Sequence, residues 1–176
     1  GSASTHVLSG LGGFQDTPLR KGDVLSIWPA SSCFCRAEVA SAVLRRISPR
    51  KTLRVTIGPQ SDWFPTASQQ AFYGATYKVA EESNRMGLRL QGPPVHGDPG
   101  KAMITEGASL GAIQITDEGL PIILFVEQQT TGGYPKIANV ISADMPSVGQ
   151  LRPRDEVRFE RVSREVARAA LIDVEE

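Results

Sequence analysis

Short segments of alternating apolar and polar residues, separated by glycine and proline, dominate this 176-residue sequence. Such alternation is typical of β-strands that bury one face, and glycine and proline mark the turns between them. Many short strands at close spacing favour a closed or strongly curved β-barrel over a β-α-β array. The predicted strands cover residues 24–28, 53–57, 76–79, 87–91, 112–115, 121–126 and 156–160, with a hairpin-like turn at residues 116–119.

Helix signals are few and short, so we predict a mainly β fold with short helices. Thr66 or Ser68 is a candidate N-cap for a helix that ends near Tyr73. The proline that opens residues 135–141 suits the first turn of a second helix. Ser163 is a candidate N-cap for a final helix.

Composition and charge argue against several classes of protein. The formal net charge is zero and the basic residues form no long run, which argues against nucleic-acid binding. The longest apolar stretch, residues 120–126, is far too short to cross a membrane. Cys33 and Cys35 lack the neighbouring ligands that a metal site needs, so we interpret them as free thiols of a cytoplasmic protein.

Three strings combine polar side chains with glycine or proline in a way that no core position requires, at residues 58–64, 83–87 and 129–135. Core positions tolerate other apolar residues of similar volume. The turn at residues 131–134, with its two adjacent glycines, instead needs glycine's conformational freedom and a close backbone approach. This composition is typical of loops that lie against a ligand.

Longer motifs extend these strings along much of the chain. They are GPQ at 58–60 with Asp62 and Phe64, SNRMG at 83–87, GAIQ at 111–114, QTTGGYP at 129–135, QLRP at 150–153 and VRF at 157–159. In this order they closely resemble the KipA-like family, also called allophanate hydrolase subunit 2 or carboxyltransferase subdomains A and B. The family includes the C subunit of the bacterial ATP-dependent 5-oxoprolinase and the carboxyltransferase region of urea carboxylase. The resemblance covers residues 52–162 and, more weakly, residues 10–28.

The resemblance implies a cyclophilin-like β-barrel and a division of the chain. Members of the family normally carry a preceding subdomain, so this chain is expected to hold only the second half of the usual unit. Residues 1–50 are then the tail of the missing subdomain plus a linker, and residues 51–176 are the carboxyltransferase-type domain. Glu127 departs from the family pattern, which often has aspartate there.

Three alternative functions follow from the resemblance. In the first, the chain is the C-terminal part of a protein like the 5-oxoprolinase C subunit, which opens the lactam 5-oxoproline together with a KipI-like protein of the B-subunit type and a further subunit. In the second, it is a biotin-dependent carboxyltransferase domain acting on urea or another amide-like acceptor. In the third, it is a KipA-like regulatory module that sequesters a kinase inhibitor. Partner subunits or domains are expected to supply ATP or biotin, and the isolated chain is expected to be inactive.

Three charged residues are candidate catalytic groups. The Arg85 guanidinium suits two-point binding of a carboxylate or carbonyl oxygen, with a surface salt bridge to Glu81 or Glu82 as the alternative. We expect Arg85 to face the same small planar ligand as the glycine turn. A carboxylate beside apolar strand residues is a better base than usual, so Glu106 and Glu127 are candidate general bases. The alternative for both is a hydrogen-bonded, structural carboxylate.

Amide and glycine residues are candidate binding groups for a small planar amide or lactam. Gln60, Gln114 and Gln129 are expected to orient the ligand, and the adjacent N–H groups of Gly132 and Gly133 to stabilise an oxyanion. The alternatives are hydrogen bonding to loop backbone for Gln60 and a plain tight turn at the glycines. The predicted binding residues are Gln60, Asn84, Gln114, Gln129, Thr131, Gly132, Gly133 and Tyr134.

Overall fold

A computed structural model of the chain describes residues 4–7, 9–27, 38–41, 43–44 and 48–175. The chain divides into two compact units, Gly1–Glu38 and Val39–Glu176. Cys33 and Cys35 lie outside the described residues, as does part of the predicted linker. The expected boundary at residue 50, and the interpretation of the first segment as the tail of another subdomain, stay predictions.

The first unit contains a short antiparallel ribbon, in which β1 (Thr5–His6) pairs with β2 (Leu11–Gly12). The strand predicted at residues 24–28 is wrong where the structure describes it, because residues 24–27 lie in no strand. Val24 and Ile27 are largely exposed there. An alternating segment becomes a stable strand only when neighbouring strands accept its hydrogen bonds and cover its apolar face.

The second unit is built around a closed barrel of seven strands. The strands of this unit are β3 (Thr52–Ile57), β4 (Tyr77–Val79), β5 (Gly87–Gln91), β6 (Glu106–Gly107), β7 (Ala112–Ile115), β8 (Pro121–Leu124), β9 (Thr131–Gly132), β10 (Lys136–Val140) and β11 (Glu156–Arg161). The barrel runs β10–β3–β11–β4–β5–β8–β7 and closes on β10, whereas β6 and β9 form a separate two-stranded ribbon. The β3–β11 pair is parallel and the other described barrel pairs are antiparallel. The mainly β class and the barrel predicted from the sequence are therefore confirmed.

Short helices accompany the barrel strands. They are α1 (Thr66–Gly74), α2 (Met145–Val148) and α3 (Arg164–Glu175). Ser163 Oγ accepts a hydrogen bond from the Val166 N–H at 3.3 Å, which confirms the predicted N-cap of α3. Within the part of the chain that the structure describes, no helix is both long and apolar enough to traverse a lipid bilayer.

Helix α1 is confirmed, but its predicted cap is wrong. Pro65 occupies the N-cap position and makes no side-chain capping bond. Ser68 Oγ instead donates a hydrogen bond to the His96 carbonyl oxygen at 2.8 Å. The serine therefore ties the helix to a distant loop rather than to its own first turn.

The helix predicted at residues 135–141 is wrong, because this segment forms β10. Ala138 pairs with Ile57 of β3 on one edge and with Ile113 of β7 on the other. Hydrogen bonds on both edges and burial of the apolar side chains outweigh the local preference for a helix after proline. Closure of the barrel therefore decides the conformation of this segment.

The hairpin predicted between β7 and β8 is confirmed. Ile115 lies opposite Pro121, and the Gly119 N–H donates to the Thr116 carbonyl oxygen at 2.9 Å. Gly119 has a φ of 79°, a conformation that favours glycine over other residues. The position of this glycine in the sequence therefore reflects the turn's backbone geometry.

The hydrophobic core combines buried residues of the barrel strands with one face of α1. Phe72 of α1 stacks on Phe159 of β11, with ring centroids 4.7 Å apart and planes inclined by 16°. Tyr77 of β4 tilts against the same Phe159 ring at 5.8 Å. Full burial of a large apolar side chain stabilises a fold by roughly 1.5–3 kcal/mol, so this cluster anchors α1 firmly to the barrel.

Candidate functional site

Strand pairing gathers polar residues from four separated parts of the chain. Glu106 of β6 lies opposite Gly132 of β9, and Gln114 of β7 lies opposite Lys136 of β10. Gln60, in the turn after β3, donates its N–H to the Lys136 carbonyl oxygen at 3.2 Å. We call Gln60, Glu106, Gln114, Gly132 and Lys136 the polar cluster.

Glu106 is the centre of this polar cluster. Its Oε1 lies 2.7 Å from Lys136 Nζ and accepts a hydrogen bond from Gln60 Nε2 at 2.8 Å. Gln60 Oε1 accepts the Lys136 backbone N–H at 3.1 Å, so both polar ends of the amide are occupied. The Lys136 side chain is only 4% exposed, whereas that of Glu106 is 44% exposed. The carboxylate thus has one end fixed by buried donors and one end open to solvent.

Hydrogen bonds set the protonation state of Glu106. The bond from Lys136, followed by that from Gln60, lowers the pKa of the Glu106 carboxyl from its usual value of 4.5. The sequence-based expectation of a stronger base is therefore wrong for Glu106, because the paired charge outweighs the apolar surroundings. Glu106 is ionised at neutral pH and is suited to accept hydrogen bonds from a ligand.

Gln114 carries a buried amide donor. Its side chain is 1% exposed, and among the described residues its Nε2 has no hydrogen-bond partner. A Cβ built on Gly132 would stand 2.5 Å from Gln114 Nε2 and 3.3 Å from Gln129 Nε2. Two side-chain amide nitrogens therefore converge on the same backbone position.

The two glycines of the turn have different roles. A side chain on Gly132 would require the end of the Gln114 side chain to shift, whereas the nearest atom to a Cβ on Gly133 is Thr105 Oγ1 at 3.8 Å. Neither glycine has a positive φ. The predicted close approach is thus confirmed at Gly132, and the predicted need for unusual backbone angles is wrong. Thr131 is exposed and Tyr134 is half-buried.

A cavity of about 370 Å³ lies beside the same turn. Gly133 and Pro135 line it together with Trp63, Lys101 and Asp117. The Lys101 ammonium lies 5.5 Å from the centre of the Trp63 ring. The glycine turn thus contributes Gly132 to the polar cluster and Gly133 to this cavity.

Arg85 and Glu127 pair with each other. Arg85 Nε donates to Glu127 Oε1 at 2.6 Å, and the Glu127 N–H donates to the Arg85 carbonyl oxygen at 2.9 Å. Arg85 therefore forms a surface salt bridge, but its partner is Glu127 and not Glu81 or Glu82. Glu81 pairs with Arg154 at 2.8 Å. Two predicted catalytic residues therefore balance each other's charge in an exposed pair.

Asn84 organises the turn that carries Arg85. Its Oδ1 accepts the N–H groups of Met86 at 2.9 Å and Gly87 at 3.3 Å. An asparagine that bonds to the backbone two and three residues ahead is typical of a turn. This geometry gives Asn84 a structural task in addition to its predicted binding role.

Arg85 and the glycine turn belong to different segments of the second unit and have different hydrogen-bond partners. Arg85 precedes β5, where Gly87 lies opposite Leu124, and Leu124 accepts a hydrogen bond from the Gly111 N–H before β7 begins. Gln114 lies near the far end of β7, about 10 Å along the strand. Among the described residues, no hydrogen bond or ion pair joins Arg85 or Glu127 to the polar cluster.

Sequence reasoning missed Lys136. Lys136 directly follows the string at 129–135. Because the sequence predicts a helix there, it indicates neither the burial of Lys136 nor its pairing with Glu106. A lysine within a predicted barrel strand is the signal that would have identified it, since buried lysines are rare unless paired. Among the described residues, no group of three or more His, Cys, Asp or Glu side chains is arranged to hold a metal ion.

Comparison with known proteins defines the class to which this barrel and its polar cluster belong. The carboxyltransferase domain, subdomain A and B, matches residues 1–161, and the chain belongs to this family. The family expected from the sequence motifs is therefore confirmed.

Individual relatives extend this result. The 5-oxoprolinase C subunit of Escherichia coli (strain K12) is 34% identical over 173 residues, which cover 98% of this chain and 54% of the relative. The urea amidolyase of Lachancea kluyveri is 34% identical over 190 residues, covering 96% of this chain and 10% of the relative. The crystal structure of the K. lactis urea amidolyase matches with a TM-score of 0.70 and 29% identity, over 96% of this chain and 11% of that structure. The chain spans about half the length of its relatives among the 5-oxoprolinase C subunits.

Proposed function

We propose that this chain takes part in the ATP-dependent opening of 5-oxoproline, as part of a protein like the 5-oxoprolinase C subunit. The observation that carries the proposal is the 34% identity with the Escherichia coli member of that group over 98% of this chain. Gln60, Gln114 and Gly132, which belong to the motifs behind the resemblance, meet in one polar cluster. That meeting supports a binding role for the motifs.

The chemistry of the polar cluster fits a planar amide. Opening the ring breaks the bond between the lactam carbonyl carbon and nitrogen, and water supplies the hydroxyl group and proton that yield the open amino acid. The polar cluster offers an ionised acceptor at Glu106 and an amide donor at Gln114, which match the N–H and C=O of a lactam. We assign to this chain the task of holding the lactam in position.

Other subunits complete the proposed enzyme. A KipI-like protein of the B-subunit type and a further 5-oxoprolinase subunit are the partners that we propose, and ATP enters through them. The isolated chain is then inactive. An activity that consumes ATP fits a cytoplasmic location.

Reconstitution tests this function. The chain is mixed with the remaining part of a bacterial 5-oxoprolinase C subunit and with the other subunits, and 5-oxoproline-dependent ATP hydrolysis and ring opening are measured with and without each component. We expect turnover only in the complete mixture, and a loss of roughly tenfold or more in Glu106→Gln, since the substitution removes the negative charge of the acceptor and replaces one of its two oxygens by an NH2 group. A matched control is Gly107→Ala in the same ribbon, where a Cβ would meet nothing within 4 Å. Stable pairing with the other subunits but no turnover contradicts the proposal and favours a regulatory binding module.

Carboxyl transfer to urea or another amide-like acceptor is the second candidate function. It is favoured by the 34% identity with a urea amidolyase and by the TM-score of 0.70 with the K. lactis urea amidolyase. In this case biotin arrives on another domain or protein. Urea-dependent loss of the carboxyl group from a carboxylated biotin-carrier domain, without any response to 5-oxoproline, would select this function over the first.

A further inference from the structure

The starting observation is a buried donor that lacks an acceptor. Gln114 is 1% exposed, and its Nε2 bonds to none of the residues that the structure describes. Buried polar atoms are nearly always hydrogen-bonded, so a missing partner points to a group that is absent from the chain itself. The missing partner of Gln114 must carry an acceptor atom.

A second donor lies beside the first. Gln129 Nε2 and Gln114 Nε2 both lie within 3.3 Å of the point at which a side chain on Gly132 would begin. Gln129 is exposed, so this pair of donors reaches from the interior to the surface. Two donors beside one backbone position suit a carbonyl oxygen, which accepts two hydrogen bonds.

An acceptor is held on the residue that pairs with Gly132. Glu106 lies opposite Gly132 across the ribbon, and its Oε1 is occupied by Lys136 and Gln60. Its Oε2 accepts no hydrogen bond from the described residues. Gln60 is a positioning residue here, because both of its polar atoms are used to orient Glu106 and Lys136.

We propose that Gln114, Gln129 and Glu106 form a binding site that selects secondary lactams by their donor and acceptor pattern. The carbonyl oxygen accepts hydrogen bonds from Gln114 Nε2 and Gln129 Nε2, and the ring N–H donates to Glu106 Oε2. A ring ester or an N-alkylated lactam lacks the N–H and leaves the carboxylate without its partner. This inference deepens the proposed function and rests on it for the class of ligand.

The experiment uses the complete chain, labelled with ¹⁵N, and 2-pyrrolidinone as the probe, with N-methyl-2-pyrrolidinone as the matched control ligand. We expect 2-pyrrolidinone to shift the side-chain amide resonances of Gln114 and Gln129. We expect binding of the N-methyl compound to be weaker by roughly tenfold or more, as for the loss of a hydrogen bond to a charged acceptor. Equal binding of the two compounds, or no response at either glutamine, overturns the proposal.

Substitutions provide an independent test. Gln114→Met keeps the length of the side chain but removes the donor, and we expect lactam binding to be lost while the melting temperature stays equal or rises, because an unpaired buried donor is removed. Gln129→Met removes the second donor. Because Gln129 is exposed, this variant is expected to fold even if Gln114→Met does not, so lactam binding can still be tested. Wild-type lactam affinity in a folded Gln114→Met or Gln129→Met variant overturns the site.

This binding test is separate from the test of the proposed function, because it needs neither ATP nor partner subunits. Lactam binding at Gln114 and Gln129 without turnover in the reconstituted mixture contradicts the 5-oxoprolinase role alone. Turnover without any contact at these glutamines contradicts the binding site alone.

Discussion

The buried ammonium of Lys136 lies 2.7 Å from the half-exposed carboxylate of Glu106. Among the described ion pairs in which the cation is the less exposed partner, this pair has the largest difference in side-chain exposure. The two groups therefore depend on each other unequally. A buried ammonium needs a counter-charge, whereas water can solvate the open end of Glu106.

This inequality predicts unequal effects of substitution. Glu106→Gln leaves a buried ammonium without its counter-charge, so we expect a clear fall in the urea midpoint of unfolding. Lys136→Met removes the buried charge and leaves a carboxylate that solvent and Gln60 still stabilise, so we expect a smaller fall. An equal fall in the urea midpoint of the two variants would contradict the conclusion that Lys136 depends more on Glu106 than Glu106 depends on Lys136.

The lowered pKa of Glu106 predicts a dependence of stability on pH. A carboxyl whose pKa is lower in the folded state than its usual 4.5 stabilises the fold above that value. This contribution is lost as the pH falls through the folded-state pKa. The free energy of unfolding of the wild type should therefore exceed that of Glu106→Gln at neutral pH, and the difference should shrink in acid.

Two comparisons isolate this effect. Glu118 and Glu165 also have lowered pKa values, caused mainly by hydrogen bonds from Thr116 and Ser163, but both remain in the variant and cancel in the difference. Glu82→Gln, at an exposed position, is the matched control and should show no such trend. A difference between wild type and Glu106→Gln that stays constant with pH would exclude the ion pair as its cause.

Gly132 is predicted to resist substitution. In Gly132→Ala the new Cβ would stand 2.5 Å from Gln114 Nε2, so the amide or the ribbon must move. We expect a loss of about 1–3 kcal/mol in the free energy of unfolding, as for overpacking in a core. Gly133→Ala, with its nearest contact at 3.8 Å, is the control and should change stability little. Chemical denaturation measures the free energy of unfolding of both variants. An unchanged free energy in Gly132→Ala would show that the Gln114 amide is free to move.

Asp144 is predicted to be the most sensitive of the charged residues described here. Its side chain is fully buried, and its Oδ2 accepts the Arg54 backbone N–H at 2.8 Å while its Oδ1 accepts Arg54 Nη2 at 2.6 Å. Asp144→Ala removes one partner of a buried pair, so we expect a loss of about 3–5 kcal/mol. Asp62→Ala, at a side chain that is 71% exposed, should change stability little, and calorimetry of the two variants checks the contrast.

Arg85 provides a test of the original sequence-based hypothesis. If Arg85 and the glycine turn shared one ligand, Arg85→Ala would abolish lactam binding. Because Arg85 pairs with Glu127 in an exposed position, we expect unchanged lactam binding and a stability change within about 1 kcal/mol. Isothermal titration with 2-pyrrolidinone decides between the two, and a large loss of affinity would return Arg85 to the binding site.

Local patterns predicted those elements whose conformation depends on a few neighbouring residues. The alternation at residues 53–57 and 87–91 predicted strands, and the serine at position 163 predicted the start of the last helix. The same approach failed for residues 135–141, which became a strand because β3 and β7 lie on both sides of it. Proline at the start of a segment is a local signal, and pairing with two distant strands outweighs it.

The sequence by itself determined the class of fold, the family and the strings from which a site is built, because the strand period and the turn glycines follow from backbone geometry over a few residues. Only the tertiary structure decided which polar groups meet. Gln60 and Glu106 are 46 positions apart, and Gln60 and Lys136 are 76 positions apart, yet the barrel and the β6–β9 ribbon together make them hydrogen-bond partners. Folding likewise pairs Arg85 with Glu127, 42 positions away, since contacts between distant residues depend on strand order and register.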